Sequence, residues 1–410
     1  MKDGPAAAIF WVCLGLVVYT YAAYPVILFV LAALTQTSRD LEFLLRRRQR
    51  RTGERHHYIP QVAMLVAAHN EERVIVAKLR NTAALEYPAG KFEFLLGLDA
   101  PSDASAELVQ SVTHPTFRVF HFAERRGKLA VLADLLDRTT ADVLVFSDAN
   151  TNLAPNCLHK LARHFADAKI GAVCGELQVV SADGQPAMES LYWRYEIVLK
   201  FLENRLHCVL GANGAVFAVR REVYHPPASA IVEDFLVPMD IRFAGHGVIY
   251  DPEAVATEEA APTPTDEFRR KVRIGTGAFQ ALVGNPRFLN PLKGLPAFAY
   301  FSHKVLRWLA PLLLLTVLAC NVILATAGPL YAALLAAQAG FYLLAAFAWM
   351  RVRSGRAAGP AGMIFYFVSM NLALLLGMVR FFVSPHTTVW SSTPRSAVPP
   401  METPKGVVRD

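Results

Sequence analysis

The sequence predicts an α/β domain, doubly wound on a mostly parallel sheet and flanked by transmembrane helices. Three observations predict it. Between residues 60 and 291, short apolar runs of strand character alternate with segments of helical spacing, as in a parallel sheet joined by crossover helices. Outside that segment lie four apolar runs, each long enough to cross about 30 Å of hydrocarbon. Arginine clusters follow the first run and separate the last two, where the positive-inside rule places cytoplasmic loops.

The first run, Ala6 to Leu34, carries no formal charge, so residues 1–35 fit one spanning helix. Its length and the lone Lys2 argue against a cleaved signal peptide, whose apolar core is roughly 7–15 residues. Residues 36–59 read as a basic linker in which Arg46, Arg47, Arg48, Arg50 and Arg51 mark the cytoplasmic side and leave the amino terminus outside. Residues 292–383 hold three further spans, near Val305–Ala327, Pro329–Met350 and Pro360–Val383. Arg351, Arg353 and Arg356 between the last two belong in the cytoplasm, and the proline-rich residues 384–410 read as a flexible tail outside.

Composition agrees with this division. At about 150 residues per domain, 410 residues allow two to three domains. Hydrophobic residues make up 54% and charged residues 18%, against roughly 25% charged in soluble domains, which excludes disorder and argues against a wholly soluble protein. The net charge of +7 is largely that of the arginine clusters, so nucleic acid is not an expected partner. The five cysteines, Cys13, Cys157, Cys174, Cys208 and Cys320, are odd in number and widely spaced, and indicate neither a disulfide framework nor a zinc site.

Within residues 60–291, strands are expected at Val62–Ala67, Phe92–Leu98, Phe117–Phe122 and Val143–Phe146. Helices are expected after Glu71, around Ala104–Val112 and over Gly127–Leu136. Sheets of this class bind ligands beyond the carboxyl ends of their strands, which here carry His69, Asn70, Asp99 and Asp148. Neither a Gly-x-Gly-x-x-Gly fingerprint nor a P-loop is present, so a phosphate ligand would need another partner, and a divalent cation held by oxygen ligands is the usual one.

Each candidate has a plainer alternative. Asp148 and Asn150, two apart in expected extended backbone, would face one metal ion, but Asp and Asn after a strand are also common turn formers. Asp99 is a second strand-end carboxylate or a helix cap. Lys128, after Arg125, Arg126 and Gly127 at a helix start, suits a pyrophosphate, or is a solvated basic turn. Glu233 and Asp234 precede a helix whose dipole alone would favour them. Gly211, Ala212 and Asn213 allow backbone to approach a ligand, or make a tight turn. The aromatic and cationic segments Leu191–Leu202 and Phe268–Leu282 read as interfacial helices or as core.

Taken in order, these pieces resemble the family-two membrane glycosyltransferases with a GT-A fold, the group that includes cellulose, chitin and hyaluronan synthases. The segment from Val66 to Glu72, with Asn70 and Glu71, resembles the family's opening motif, and Asp99, Ser102 and Asp103 resemble its D-x-S-x-D nucleotide loop. Arg126-Gly127-Lys128 resembles the phosphate-side turn, Asp148-Ala149-Asn150 the metal motif, and Glu233-Asp234 the pair whose Asp is the general base. Arg270-Lys271-Val272-Arg273-Ile274 stands at Q-x-x-R-W, keeping the Arg but lacking the Gln and the Trp that processive synthases place at the acceptor end.

The resemblance implies a metal-dependent, inverting hexosyltransferase of a bacterial inner membrane, with its catalytic domain in the cytoplasm. Asp234 and Glu233 would be catalytic, and Asn70, Glu71, Asp99, Lys128, Arg270 and Arg273 would bind the nucleotide sugar, expected to be a UDP-sugar. Asp148 and Asn150 would hold Mg²⁺ or Mn²⁺, and Gly211, Ala212 and Asn213 would face a lipid-linked or polysaccharide acceptor. A processive, polymer-extruding synthase is the alternative, and a non-catalytic membrane scaffold a more distant one. The altered Q-x-x-R-W and only four spans favour addition of one or a few sugars.

Overall fold

The structure, a computed structural model, describes residues 4–46, 58–180, 190–227, 230–261, 263–356 and 358–383. Arg47, Arg48, Arg50 and Arg51 of the expected linker, and the expected tail, lie outside these residues. Eight strands form one sheet in the order β3-β2-β1-β4-β7-β6-β8-β5. They are β1 (Val62–Ala68), β2 (Phe92–Asp99), β3 (Phe117–Phe122), β4 (Val143–Phe146), β5 (Asn152–Leu153), β6 (Ile170–Val180), β7 (Phe217–Arg220) and β8 (Gly247–Glu259). The first four pair in parallel, as do β6 and β8, while β7 runs antiparallel between β4 and β6 and β5 antiparallel to β8. The sheet is therefore mostly parallel, as the alternation of apolar runs implied. The central strands β1 and β4 are buried on both faces, so their side chains read as continuous apolar runs.

The amino-terminal helix has two arms, α1 (Pro5–Val18) and α2 (Tyr24–Arg46), joined by a π-helical turn at Tyr19–Ala23. It runs past the expected end near residue 35, so residues 36–46 are helix rather than linker. Between the strands lie α3 (Ile75–Ala83), α4 (Ser105–Leu108), α5 (Lys128–Leu136) and α6 (Cys157–Ala162), followed by α7 (Ser190–Arg205), α8 (Glu233–Phe243) and α9 (Pro264–Gly284). After α9 come α10 (Leu295–Ala299), a π-helical turn at Tyr300–Val305, α11 (Leu306–Leu324), α12 (Pro329–Arg353) and α13 (Gly362–Val383). Among the described residues four helical stretches, Pro5–Leu45, Leu295–Leu324, Pro329–Arg353 and Gly359–Val383, are long and apolar enough to cross a membrane.

The sheet domain and the apolar helices share a core. Tyr24 and Leu28 of α2, Leu199 and Leu202 of α7, Met239 of α8, Phe279 of α9, and Tyr300 and Trp308 bury one continuous apolar surface. α9 is the hinge piece of this packing. A Cβ on Gly277 would stand 2.8 Å from Val232, the residue before α8, and one on Gly377 of α13 would stand 2.7 Å from Thr276 N and 2.8 Å from Val272 O. At Gly377 the backbones of α13 and α9 meet because it and the facing Gly275 are glycine, the mode of contact common between helices in lipid. The Gly377→Ala protein should therefore lose about 1–3 kcal/mol, the usual range for overpacking. Gly340→Ala, where nothing lies within 4 Å of the added carbon, should be neutral or slightly stabilising. Thermal unfolding of the two purified variants checks this, and equal melting temperatures would contradict it.

Candidate active site

Four loops meet beyond the carboxyl ends of β1, β2 and β4, and polar side chains stitch them together. Asn70, in a left-handed conformation (φ 56°), donates through Nδ2 to Ser102 Oγ (3.0 Å) and accepts the Ser102 N–H (2.8 Å). His69 Nδ1 lies 2.6 Å from Asp99 O. Glu72 N donates to Asp103 Oδ2 (3.0 Å), and Glu71 N to Ser105 Oγ (2.9 Å). The Asn70 loop and the Asp99–Asp103 loop thus form one rim. Glu71 itself is buried, and its carbonyl accepts the N–H groups of Val74 and Ile75 where the chain turns into α3.

Asp99, 3% exposed, accepts the backbone N–H of Arg126 at Oδ1 (2.7 Å) and that of Gly127 at Oδ2 (2.8 Å). Its carboxylate therefore fixes the turn into α5, the cap-like alternative noted for it. Gly127 has φ 88°, which a side chain would strain, and this conformation delivers Lys128 to the first position of the helix. The Lys128 ammonium then lies 2.8 Å from Asp148 Oδ1 and 2.6 Å from Glu233 Oε1, joining the end of β4 to the start of α8. Burial alone would lower its pKa, but the two carboxylates outweigh burial and hold it above the ordinary lysine value. Lys128 and Glu233 line a small cavity together with Leu132, Phe146, Phe217, Tyr224 and Val237.

Asp234 follows Glu233 and is held twice by the expected acceptor-side loop. Ala212 N donates to the Asp234 carbonyl (2.9 Å) and Gly214 N to its Oδ2 (3.0 Å). A Cβ on Gly214 would come within 3.3 Å of that Oδ2, and one on Gly211 within 3.2 Å of the Phe235 ring. The small residues of this loop are thus used for close approach to Asp234. Burial first, then the neighbouring Glu233 charge, pushes the Asp234 carboxyl up to about 6, with Lys128 opposing them. Asn213 accepts from Lys200 Nζ of α7 at 2.9 Å. Arg273 of α9 stands in the field of Glu233, Asp148 and Asp234, and burial lowers its pKa somewhat. Arg270 is instead engaged by Glu267 one turn back, through Nε (2.7 Å) and Nη2 (3.0 Å).

The metal pair needs a correction. Thr151 N donates to Asp148 O (3.2 Å), so Asp148 and Asn150 sit on a turn and not in extended backbone, and the shared-face argument does not apply. The turn gives each its own setting. Asp148 is partly exposed toward Lys128, while Asn150 is 6% exposed and its Oδ1 has no hydrogen-bond partner among the described residues. A buried amide oxygen left without a donor suits a hard cation. Among the described residues no three His, Cys, Asp or Glu side chains gather as a metal cluster, so phosphate oxygens and water would have to complete the coordination.

One residue of the site passed unnoticed in the sequence. Lys78 of α3 is 1% exposed and donates to Ser147 Oγ (2.7 Å) and to Thr151 O (2.8 Å), bracketing the Asp148–Asn150 turn from below. Burial pushes its pKa down to about 7. Its signal was present: Lys78 falls between Val74 and Leu79 on the apolar stripe of the helix, where a charge needs a partner.

The ion-pair geometry makes a stability prediction. Lys128→Met leaves three carboxylates facing one another without their cation, and should cost about 2 kcal/mol at pH 8, after discounting for partial exposure. The cost should shrink as pH falls from 8 toward about 6, because Asp234, raised further once the opposing Lys128 charge is gone, then takes a proton and the repulsion drops. The sign agrees with linkage: a carboxyl raised in the folded state binds its proton earlier there than in the unfolded chain, so acidification through 6 favours the fold at this group. Melting temperatures of wild type and variant from pH 5 to 8 check it, and a pH-independent difference would contradict it.

Residues 64–225 match the family described as Glycosyl transferase family 2. Beta-monoglucosyldiacylglycerol synthase of Synechocystis is 28% identical over 273 residues, covering 62% of this chain and 55% of that protein. The protein of the same name from Trichormus variabilis is 28% identical over 234 residues, covering 54% and 50%. The chain thus aligns with about half the length of these curated relatives. Among solved structures, the mannosyltransferase PcManGT from Pyrobaculum calidifontis, in complex with GDP-Man and Mn²⁺, superposes with a TM-score of 0.69 at 21% identity, covering 92% of this chain and all of that one. The chain is thus similar to glycosyl transferase family 2 over residues 64–225, and its fold is GT-A-like.

Proposed function

We propose that this protein is a membrane-bound, inverting glycosyltransferase that moves a sugar from a nucleotide-diphosphate sugar to the hydroxyl of a lipid acceptor. The observation that carries the reading is the convergence of Lys128, Asp148, Glu233 and Asp234 at one sheet end, in a domain that shares its core with helices apolar enough to span a bilayer. A cation between two carboxylates beside a third, raised carboxyl is costly for stability, and its use is to meet a charged substrate. The domain is proposed to lie in the cytoplasm of a bacterial cell, with the nucleotide sugar drawn from there. A lipid acceptor is supported by the relatives named as glucosyldiacylglycerol synthases and by the shared core of sheet domain and spans.

The chemistry follows from the positions. As the bond from the anomeric carbon to the diphosphate breaks, negative charge grows on the leaving group, and Lys128 and Arg273 are the fixed cations available to it. A Mg²⁺ or Mn²⁺ ion bound by Asp148 and Asn150 would add Lewis-acid stabilisation of the same oxygens. Asp234, its carboxylate set by Gly214 N, takes the proton of the acceptor hydroxyl as that oxygen attacks from the opposite face of the sugar. One displacement inverts the anomeric centre. Asn70 and Asp99 build the donor rim, and Asp99 acts through the Arg126–Gly127 turn that aims Lys128. Arg270, paired with Glu267 on the same helix, adds a second cation on the donor side beside Arg273. The missing Gln and Trp at 270 and 274 favour single additions over polymer extrusion.

Asp234→Asn keeps an oxygen for the Gly214 N–H but removes the base, so kcat should fall by roughly 10²–10⁴-fold with donor affinity near wild type. For wild type, kcat/KM should fall on acidification below about pH 6, where Asp234 becomes protonated and can no longer accept the hydroxyl proton. Retained turnover in folded Asp234→Asn, or an acid limb near pH 4, would contradict the assignment of the base. Asp148→Ala and excess chelator should each weaken nucleotide binding, read by calorimetry with the nucleotide diphosphate. Unchanged binding in both would remove the metal from the account.

A further inference from the structure

A buried charged cluster outside the site lies where the domain meets the apolar helices. His303 Nδ1 lies 2.6 Å from Glu203 Oε1 and its Nε2 3.3 Å from Glu196 Oε2, while Lys304 Nζ stands 3.7 Å from Glu196 Oε2. Arg307 pairs through Nη1 with Glu196 Oε1 and donates to Tyr192 OH at 3.3 Å. Two π-helical turns meet beside it, where Tyr19 OH is 2.8 Å from Ser302 Oγ, and such turns recur at functional sites.

Arg307 is 6% exposed, and among the described residues its Nε and Nη2 have no hydrogen-bond partner. Those two N–H groups form the side-on edge of the guanidinium, the edge that grips two oxygens of one phosphate or carboxylate. The rings of Tyr21, Tyr192 and Tyr195 stand 5.5–6.0 Å from its Cζ, at the outer reach of a cation–π contact. A buried, charged fork left half satisfied among apolar helices implies an oxyanion partner. Its place links it to the chemistry: Phe235, next to Asp234, packs on Tyr300 and Trp308 of the same helical stretch at 5.8 and 5.6 Å. α7, which carries Glu196, also reaches the Gly211–Gly214 loop through Lys200 and Asn213.

We infer that the free edge of Arg307 seats the phosphate of a lipid head group on the membrane side of Asp234. The inference rests on the membrane-transferase reading above. The phosphate belongs either to the acceptor lipid or to a resident phospholipid beside it. Both present the same oxygens to the fork.

The test uses the full chain in detergent, with phosphatidylglycerol and neutral diacylglycerol as probes and retention read by native mass spectrometry. Wild type should hold phosphatidylglycerol roughly tenfold better than diacylglycerol. Arg307→Lys, which keeps the charge but not the fork, should lose that preference while its UDP affinity stays at the wild-type value. Glu196→Gln, which removes the carboxylate competing for the same guanidinium, should retain phosphatidylglycerol as tightly as wild type or more so. Incubation with a labelled nucleotide sugar then separates the sources: a labelled phospholipid is the acceptor, and an unlabelled retained one is resident. Equal retention of the two lipids by wild type, or full preference in Arg307→Lys, would overturn the inference. So would loss of retention in both variants together with a lowered melting temperature, the mark of an ion pair that serves the fold alone. Failure of wild type to bind any nucleotide would instead fall on the transferase reading, whatever the lipid result.

Discussion

The arrangement depends on one cation. Lys128 sits between Asp148 and Glu233, and through them it joins three parts of the chain that are distant in sequence: the α5 start, the β4 end and the α8 start. Each part is held for this purpose by something else. Asp99 fixes the turn before Lys128, Lys78 fixes both ends of the Asp148 turn, and the Gly211–Gly214 loop fixes Asp234. A site built from like charges would fly apart without such supports, and their cost is met by the apolar packing beneath it. The supports are mostly backbone N–H groups and a buried lysine, which hold direction as well as charge.

The same site is coupled to the apolar helices more closely than a tethered domain would be. α9 carries Arg273, touches Val232 through Gly277 and meets α13 backbone to backbone at Gly377. Phe235 stacks on Tyr300. A change in how these helices pack would therefore reach both Arg273 and the helix that begins with Glu233 and Asp234. For the proposed lipid acceptor this coupling has a physical sense, since its hydroxyl would not need to leave the membrane boundary to reach Asp234.

Much of this was legible in the sequence, for reasons that particular residues make plain. The doubly buried strands read as apolar runs because a parallel sheet covers both their faces, and the polar residues closing them, Asn70, Asp99 and Asp148, fall at the ligand end for the same reason. Glu233 and Asp234 were visible as adjacent carboxylates before a helix. The turn at Asp148–Asn150 is not legible in the sequence, because two-residue spacing does not distinguish a strand from a turn. Lys78 was overlooked as an ordinary helical lysine, since its partner is a hydroxyl and a carbonyl seventy residues away. The charge cluster around Arg307 was equally hidden, because Glu196, Glu203 and His303 come together only when α7 docks on the helices after α10.

The central claim is that this site transfers a sugar to a lipid, and product balance tests it most directly. Purified full-length protein in lipid nanodiscs would be given a panel of labelled UDP- and GDP-sugars, with nucleotide diphosphate release and organic-extractable label followed together. The account predicts that for one donor the two rise one to one, with the label in a lipid of defined size bearing an anomeric configuration opposite to that of the donor. Nucleotide release without labelled lipid, or label confined to a water-soluble polymer, would contradict it.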